Sequence, residues 1–260
     1  MIQVTNTPAL TGVTISGEYD DLNALVDAIY EVTISDYDEG LNKTTARYLN
    51  ISLHVLGLAY DIRHAAQGDR DLTTRPNGLQ EWHAEAFGAA LPATTVLYSV
   101  NVFYPQVILV TMALNDLVKL RMRRLAKTRY DFEVPFDKTV ITDRTIAVIR
   151  LFQSGLMSAI GEVLTKASLT RWLNIVYDRA TDVTGITHPF IDTWNLRYLA
   201  MSRETRVKKL LTVTRRFAAY RTDKENIEFR RAVDQAVVEY RCDESDLRFP
   251  HLQYPDEIEW

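Results

Sequence analysis

Apolar and polar positions alternate along parts of the first hundred residues and then settle into a helical period. Val13-Thr14-Ile15-Ser16 alternates between Gly12 and Gly17, the pattern of a short strand with one buried face. Leu22, Leu25, Val26 and Ile29 follow at steps of three and four, which predicts a helix capped by Asp20 or Asp21. Residues 69–75 read as an edge strand that Pro76-Asn77-Gly78 ends in a turn. Residues 95–103 form the strongest strand pattern, with Val96, Tyr98, Val100 and Val102 on one side and Ser99 and Asn101 on the other.

Residues 44–66 fit two templates. Leu49, Ile51, Leu53 and Val55 alternate as a strand would, but Arg47, Asn50, His54, Gly57, Asp61 and His64 recur at steps of three and four. The longer run decides for a helix from Arg47 through His64, with these six positions on one arc. From Tyr104-Pro105 onward the period is helical throughout. Helices are predicted over 106–128, from Asp137 or Thr139 through Val163, from a Ser168 cap through Val176, and over 191–200, 203–220 and 223–241. Gly155, Ser158, Ala159 and Gly161 leave room for a close neighbour on the second of these. The expected fold is α+β: a small N-terminal antiparallel sheet with helices, followed by a predominantly α-helical bundle. Residues 1–104 make the mixed part and 105–260 the helical part of one compact unit.

Composition narrows the class. A chain of 260 residues with 47% hydrophobic residues, ten glycines and eight prolines can bury a large core and has little room for linkers. Cys242 is the only cysteine, which excludes an internal disulfide and a Cys-pair zinc site and leaves an inert thiol as the expectation. Met1-Ile2-Gln3-Val4-Thr5-Asn6 lacks the basic and apolar regions of a secretory signal, and the apolar run 107–114 is too short to span a bilayer. The expectation is a cytoplasmic protein with no membrane partner.

The net charge of −4 hides segregation. Residues 1–42 hold eight acids and no Lys or Arg, residues 119–129 hold six bases and no acid, residues 197–224 hold nine bases against two acids, and residues 225–260 hold ten acids against four arginines. Such blocks either meet one another or face charged partners. With a pI of about 5.8 and no aromatics interleaved among the basic positions, nucleic acid is disfavoured and pairing within the chain or between copies is favoured. The acidic stretch ending in Trp260 is expected to dock on its own chain.

No phosphate loop, dinucleotide fingerprint, His-Glu-x-x-His or Gly-x-Ser-x-Gly is present, so neither a cofactor nor a metal is expected. Candidate chemistry rests on the polar arc. Asp61 and His64, three apart on a helix, can act as an acid/base pair in which the carboxylate orients the imidazole. His54 lies two turns below Asp61, and Gly57 between them leaves space for a ligand. Arg47 and His54, separated by six residues, resemble the Arg-to-His spacing of the HEPN ribonucleases, which implies an Arg and a His acting on an RNA phosphate; Tyr48 and the N-terminal strands depart from that family. A second group is Asn115 and Asp116 in an apolar helix, with Arg150 in the next. Charges in such surroundings require partners, and Asp116 and Arg150 are expected to have them, from one another or from Asp61. Two functions follow. One is a binding or interaction protein, homo-oligomeric through its helices and open to a protein partner. The other is a hydrolase or nuclease-type enzyme acting on a phosphate or other anion, with Asp61 and His64 as acid and base and Arg47 or Arg150 gripping the anion.

Overall fold

The computed structural model describes residues 1–35, 42–88, 92–126, 142–178, 181–247, 249 and 252–260. Four strands form one antiparallel sheet in the order β1-β2-β4-β3. They are β1 (Gln3–Asn6), β2 (Gly12–Gly17), β3 (Asp71–Pro76) and β4 (Thr94–Phe103). β1 pairs with β2 in the register Gln3 to Ser16, β2 with β4 as Gly12 to Phe103, and β3 with β4 as Asp71 to Ser99. Gly12 is required where it stands, because a Cβ there would lie 1.9 Å from the Val102 carbonyl oxygen. β1 is too short to show in the sequence pattern. Residues 71–76 are the edge strand that the sequence indicates.

The helices among the described residues are α1 (Tyr19–Val32), α2 (Lys43–Ala46), α3 (Leu49–Ala66), α4 (Glu81–Phe87), α5 (Tyr104–Leu125), α6 (Arg144–Val163), α7 (Lys166–Val176), α8 (His188–Leu199), α9 (Arg203–Ala218) and α10 (Lys224–Tyr240). The fold is α+β, a small sheet followed mostly by helices. Several starts differ from the sequence reading by a few residues, and the caps explain them. Glu18, not Asp20 or Asp21, caps α1, with Asp21 closing the capping box. Thr165 caps α7 and accepts from the Ser168 N–H. Asp143 caps α6, so the described part of that helix begins at Arg144; Asp137 and Thr139 lie outside the described residues. Arg241 in the left-handed region (φ 50°) ends α10.

α5 is buried almost all round and runs directly from β4, so it serves both halves as a central pillar. One hydrophobic cluster joins Val13 and Ile15 of the sheet, Leu22 and Ile29 of α1, and Trp172, Phe190, Tyr198 and Phe217 beyond α5. α6 has the length and apolar content to cross a membrane, the one such helix among the described residues. Its Ile146, Ile149, Phe152 and Leu156 face inward, and its small residues take up β1: a Cβ at Gly155 would lie 3.1 Å from the Val4 side chain.

The charge blocks meet inside the fold. Arg121 of the first basic run pairs with Glu31 at 3.1 Å and Asp143 at 2.9 Å. Arg197 pairs with Glu225 at 2.6 Å, Arg221 with Asp182 at 2.6 Å, and Arg216 with Asp223. Such half-exposed pairs contribute up to about 1 kcal/mol each. Lys208, Lys209 and Arg215 remain exposed on α9.

Candidate functional site

Two adjoining cavities form a groove between α3, α8 and residues 252–260, and both are lined by Leu53, His188 and Asp192. One, about 360 Å³, adds His54, Gly57, Asn195 and Tyr254. The other, about 540 Å³ and more enclosed, adds Val233, Leu247 and Leu252.

The walls follow from local sequence. Thr187 precedes α8, its N–H and hydroxyl held by Asn226 Oδ1, and Pro189 pre-sets the first turn. His188, Asp192 and Asn195 then fall at steps of four and three on one face of α8. Asn50 of α3 donates to the Ile186 carbonyl at 3.0 Å, fixing the loop before His188 against α3. Tyr254 stacks on Phe103 with centroids 5.4 Å apart. Its hydroxyl donates to Asp192 Oδ1 at 2.8 Å and accepts from Asn195 Nδ2 at 2.9 Å. The segment is held further by Trp260, which lies against Phe103 and whose carbonyl accepts from the Ala9 N–H at 3.0 Å. Trp260 thus docks on its own chain, on an aromatic ring rather than on the basic side chains.

The electrostatics of the groove are those of an acceptor site. The His54 ring is 8% exposed and stacks on His188 with centroids 3.7 Å apart. Burial, and then the neighbouring His188, hold its pKa well below the usual histidine value, so His54 is neutral. Its Nε2 is buried without a hydrogen-bond partner among the described residues, as is Asn195 Oδ1. Burial raises the Asp192 carboxyl above the usual range, opposed by Tyr254 and His188. Among the described residues no group of three His, Cys, Asp or Glu side chains is arranged to hold a metal ion.

The other sequence candidates lie elsewhere. Asp61 and His64 are on the exposed end of α3 and each has its own partner: Arg70 lies 3.4 Å from Asp61, and His64 Nδ1 lies 3.0 Å from Asp69 Oδ2. Neither lines the groove. Arg47 does not join the helical arc, because α3 begins at Leu49. It lies in the preceding turn, hydrogen-bonded to the Tyr48 hydroxyl at 2.9 Å and 3.7 Å from Asp182, so the spacing shared with HEPN ribonucleases does not become a shared helical face. The bond to Tyr48 is the largest factor raising the Arg47 pKa.

Asn115, Asp116 and Arg150 meet at the junction of α5, α6 and α7. Arg150 donates to Asn115 Oδ1 and Gln153 Oε1, both at 2.6 Å. Gln153 donates to Asn115 Oδ1 and the Thr111 carbonyl, and Asn115 to the Val176 carbonyl. Asp116 accepts from Lys119 at 3.2 Å. Each charge is thus partnered, but not by the other and not by Asp61. Burial lowers the Arg150 pKa and raises that of Asp116. The adjoining cavity is only about 70 Å³, and the arrangement reads as a knot that fixes helix register.

His54 and Gly57 were visible as polar and small positions on a predicted helix. His188, Asp192, Asn195 and Tyr254 do not stand out in the pattern of the sequence. The step of four and three after Thr187-His188-Pro189 is the signal that could have found the first three; Tyr254 has no local signal.

Fold and groove together define an α+β protein with a partly enclosed, acceptor-lined cavity carried by helices and closed by the residues that follow them. Residues 2–260 match the family described as a domain of unknown function, DUF6904, and the chain belongs to that family. No curated protein and no solved structure matches it.

Proposed function

We propose that this protein is a non-catalytic binding protein that holds a small, N–H-rich ligand in the groove between α3, α8 and residues 252–260. The observation that carries the reading is that two residues lining one cavity, His54 and Asn195, each hold a buried acceptor, Nε2 and Oδ1, with no partner among the described residues. A buried acceptor left unpaired costs about 1–3 kcal/mol, and a donor arriving from the cavity removes that cost. Asp192 adds a carboxylate on the same wall, which favours a primary ammonium or amidinium group over a neutral donor. Val233, Leu247 and Leu252 in the adjoining cavity accommodate a hydrocarbon portion. The hydrolase reading has less support, since Asp61 and His64 sit outside the groove with separate partners.

Calorimetry and thermal shift with a panel of small primary amines, amidines and carboxylates of matched size test the proposal. Amines and amidines are expected to bind and raise Tm, with binding lost in Asn195→Leu and in Gly57→Leu, which fills the cavity. Equal binding of the carboxylates, no binding of any panel member, or unchanged binding by both variants overturns it.

A further inference from the structure

We infer that the exposed edge of the sheet is a homodimer interface, in which β3 pairs antiparallel with β3 of a second copy about a twofold axis at Thr73. β3 closes the sheet on one side and every residue from Asp71 to Pro76 is exposed. Beside it Leu72 is 54% and Val96 45% exposed, large apolar side chains for a sheet edge in water.

Backbone parity restricts how such an edge can pair. The N–H of Asn77 donates to the Ala93 carbonyl in the same register that sets Asp71 opposite Ser99. Odd residues of β3 therefore bond to β4, and Leu72 and Thr74 turn their N–H and C=O groups outward. A twofold antiparallel pair must match even residues with even and odd with odd. Centred on Thr73, it sets Leu72 against Thr74 of the second copy, and Thr74 against its Leu72, with four backbone hydrogen bonds. The same register brings Asp71 opposite Arg75 at both ends, in the close, non-hydrogen-bonded type of pair. A twofold axis at Thr74 instead needs an N–H from Pro76, which has none. An axis at Leu72 sets Asp71 against Thr73 and carries Arg75 past the start of the facing strand, opposite Asp69, whose carboxylate already pairs with His64 at 3.0 Å. Proline, and charge pairs that fall wholly within the strand, thus favour the register centred on Thr73.

The test is a charge-swap cycle read by sedimentation velocity. The wild-type chain is expected to dimerise in the high micromolar range or tighter, and more weakly as salt rises. Asp71→Arg sets Arg against Arg at both ends, and Arg75→Asp sets Asp against Asp; each is expected to weaken dimerisation tenfold or more, roughly the effect of several opposed cross-strand charges. Mixing the two single variants restores opposite charges at both ends and is expected to give a heterodimer. In hydrogen exchange, the Leu72 and Thr74 amides are expected to gain protection with concentration. Both substitutions fall on exposed side chains, so folding is retained and checked by circular dichroism. A wild-type chain that stays monomeric, or a dimer indifferent to both swaps, overturns the inference.

Discussion

The imidazole of His54, from the second turn of α3, lies stacked on that of His188, the first residue of α8, at 3.7 Å between centroids. Two imidazolium rings cannot share that position, and His54 is the one that burial keeps neutral. Its folded-state pKa lies below the unfolded value of about 6.5. As pH falls through that value the unfolded chain takes up a proton that the folded chain refuses. Stability is therefore complete above about pH 6.5 and lost below it, with a slope approaching about 1.4 kcal/mol per pH unit for this one proton. Urea denaturation between pH 8 and pH 5 is expected to show this decline, and His54→Leu to flatten it. An unchanged slope in the variant means that another group carries the effect.

Arg206 is a buried cation, 5% exposed, with no carboxylate partner among the described residues. It donates to the carbonyls of Tyr198 (3.1 Å), Leu199 (2.7 Å) and Ala9 (2.7 Å) and to the Thr11 hydroxyl (2.8 Å). The first two are at the C-terminus of α8, where the helix dipole favours a cation. Arg206→Met is expected to cost about 3 kcal/mol or more, because several buried carbonyls lose their donor at once. Arg206→Lys recovers only part of this, since an ammonium cannot reproduce the planar fork. Chemical denaturation of the two variants checks the order; equal stability of Arg206→Met and the wild type removes the argument.

Two glycines are expected to respond oppositely to alanine. Gly12→Ala forces a methyl into the Val102 carbonyl and is expected to cost about 3 kcal/mol or more, since backbone on a paired strand cannot yield cheaply. Gly57 sits within α3 with nothing within 4 Å of a new Cβ, so Gly57→Ala is expected to stabilise by about 0.5–1 kcal/mol. Melting curves of the two variants should move in opposite directions.

At the α5–α6–α7 knot, removing the acceptor is expected to cost more than removing the charge. Asn115→Leu leaves the Arg150 guanidinium half-stranded and the Val176 carbonyl without its donor, for about 2–3 kcal/mol. Arg150→Met keeps the stem volume and the Gln153 to Asn115 bond, for under about 1.5 kcal/mol. The reverse order, measured by urea unfolding, contradicts the reading of Arg150 as a half-buried charge held by amides.

What the chain reveals in advance depends on sequence distance. The strands around Val13 and Val100 and the helices from Tyr104 onward declare themselves by their own period, and Asp223 announces the start of α10 by its cap. Residues 3–6 do not, because four residues of strand carry too little alternation, and only pairing with residues 13–16 makes them β1. The arc from Arg47 to His64 mixes two environments. The α3 axis turns His54 into the core while Leu53 and Tyr60 stay 44% and 50% exposed, a rotation set by the packing of α1 and β4 rather than by α3 itself. The groove was half legible for the same reason: His54 and Gly57 are neighbours in sequence, whereas their meeting with Asn195 and Tyr254 is decided by the whole fold.

The sheet has two unlike borders. On one side β1 is covered, with Asn6 donating to the Ala159 carbonyl of α6 at 2.8 Å; on the other β3 is bare. A strand added to β3 therefore finds no second open border on the same molecule, so association through the sheet ends at a closed pair and cannot propagate into a filament.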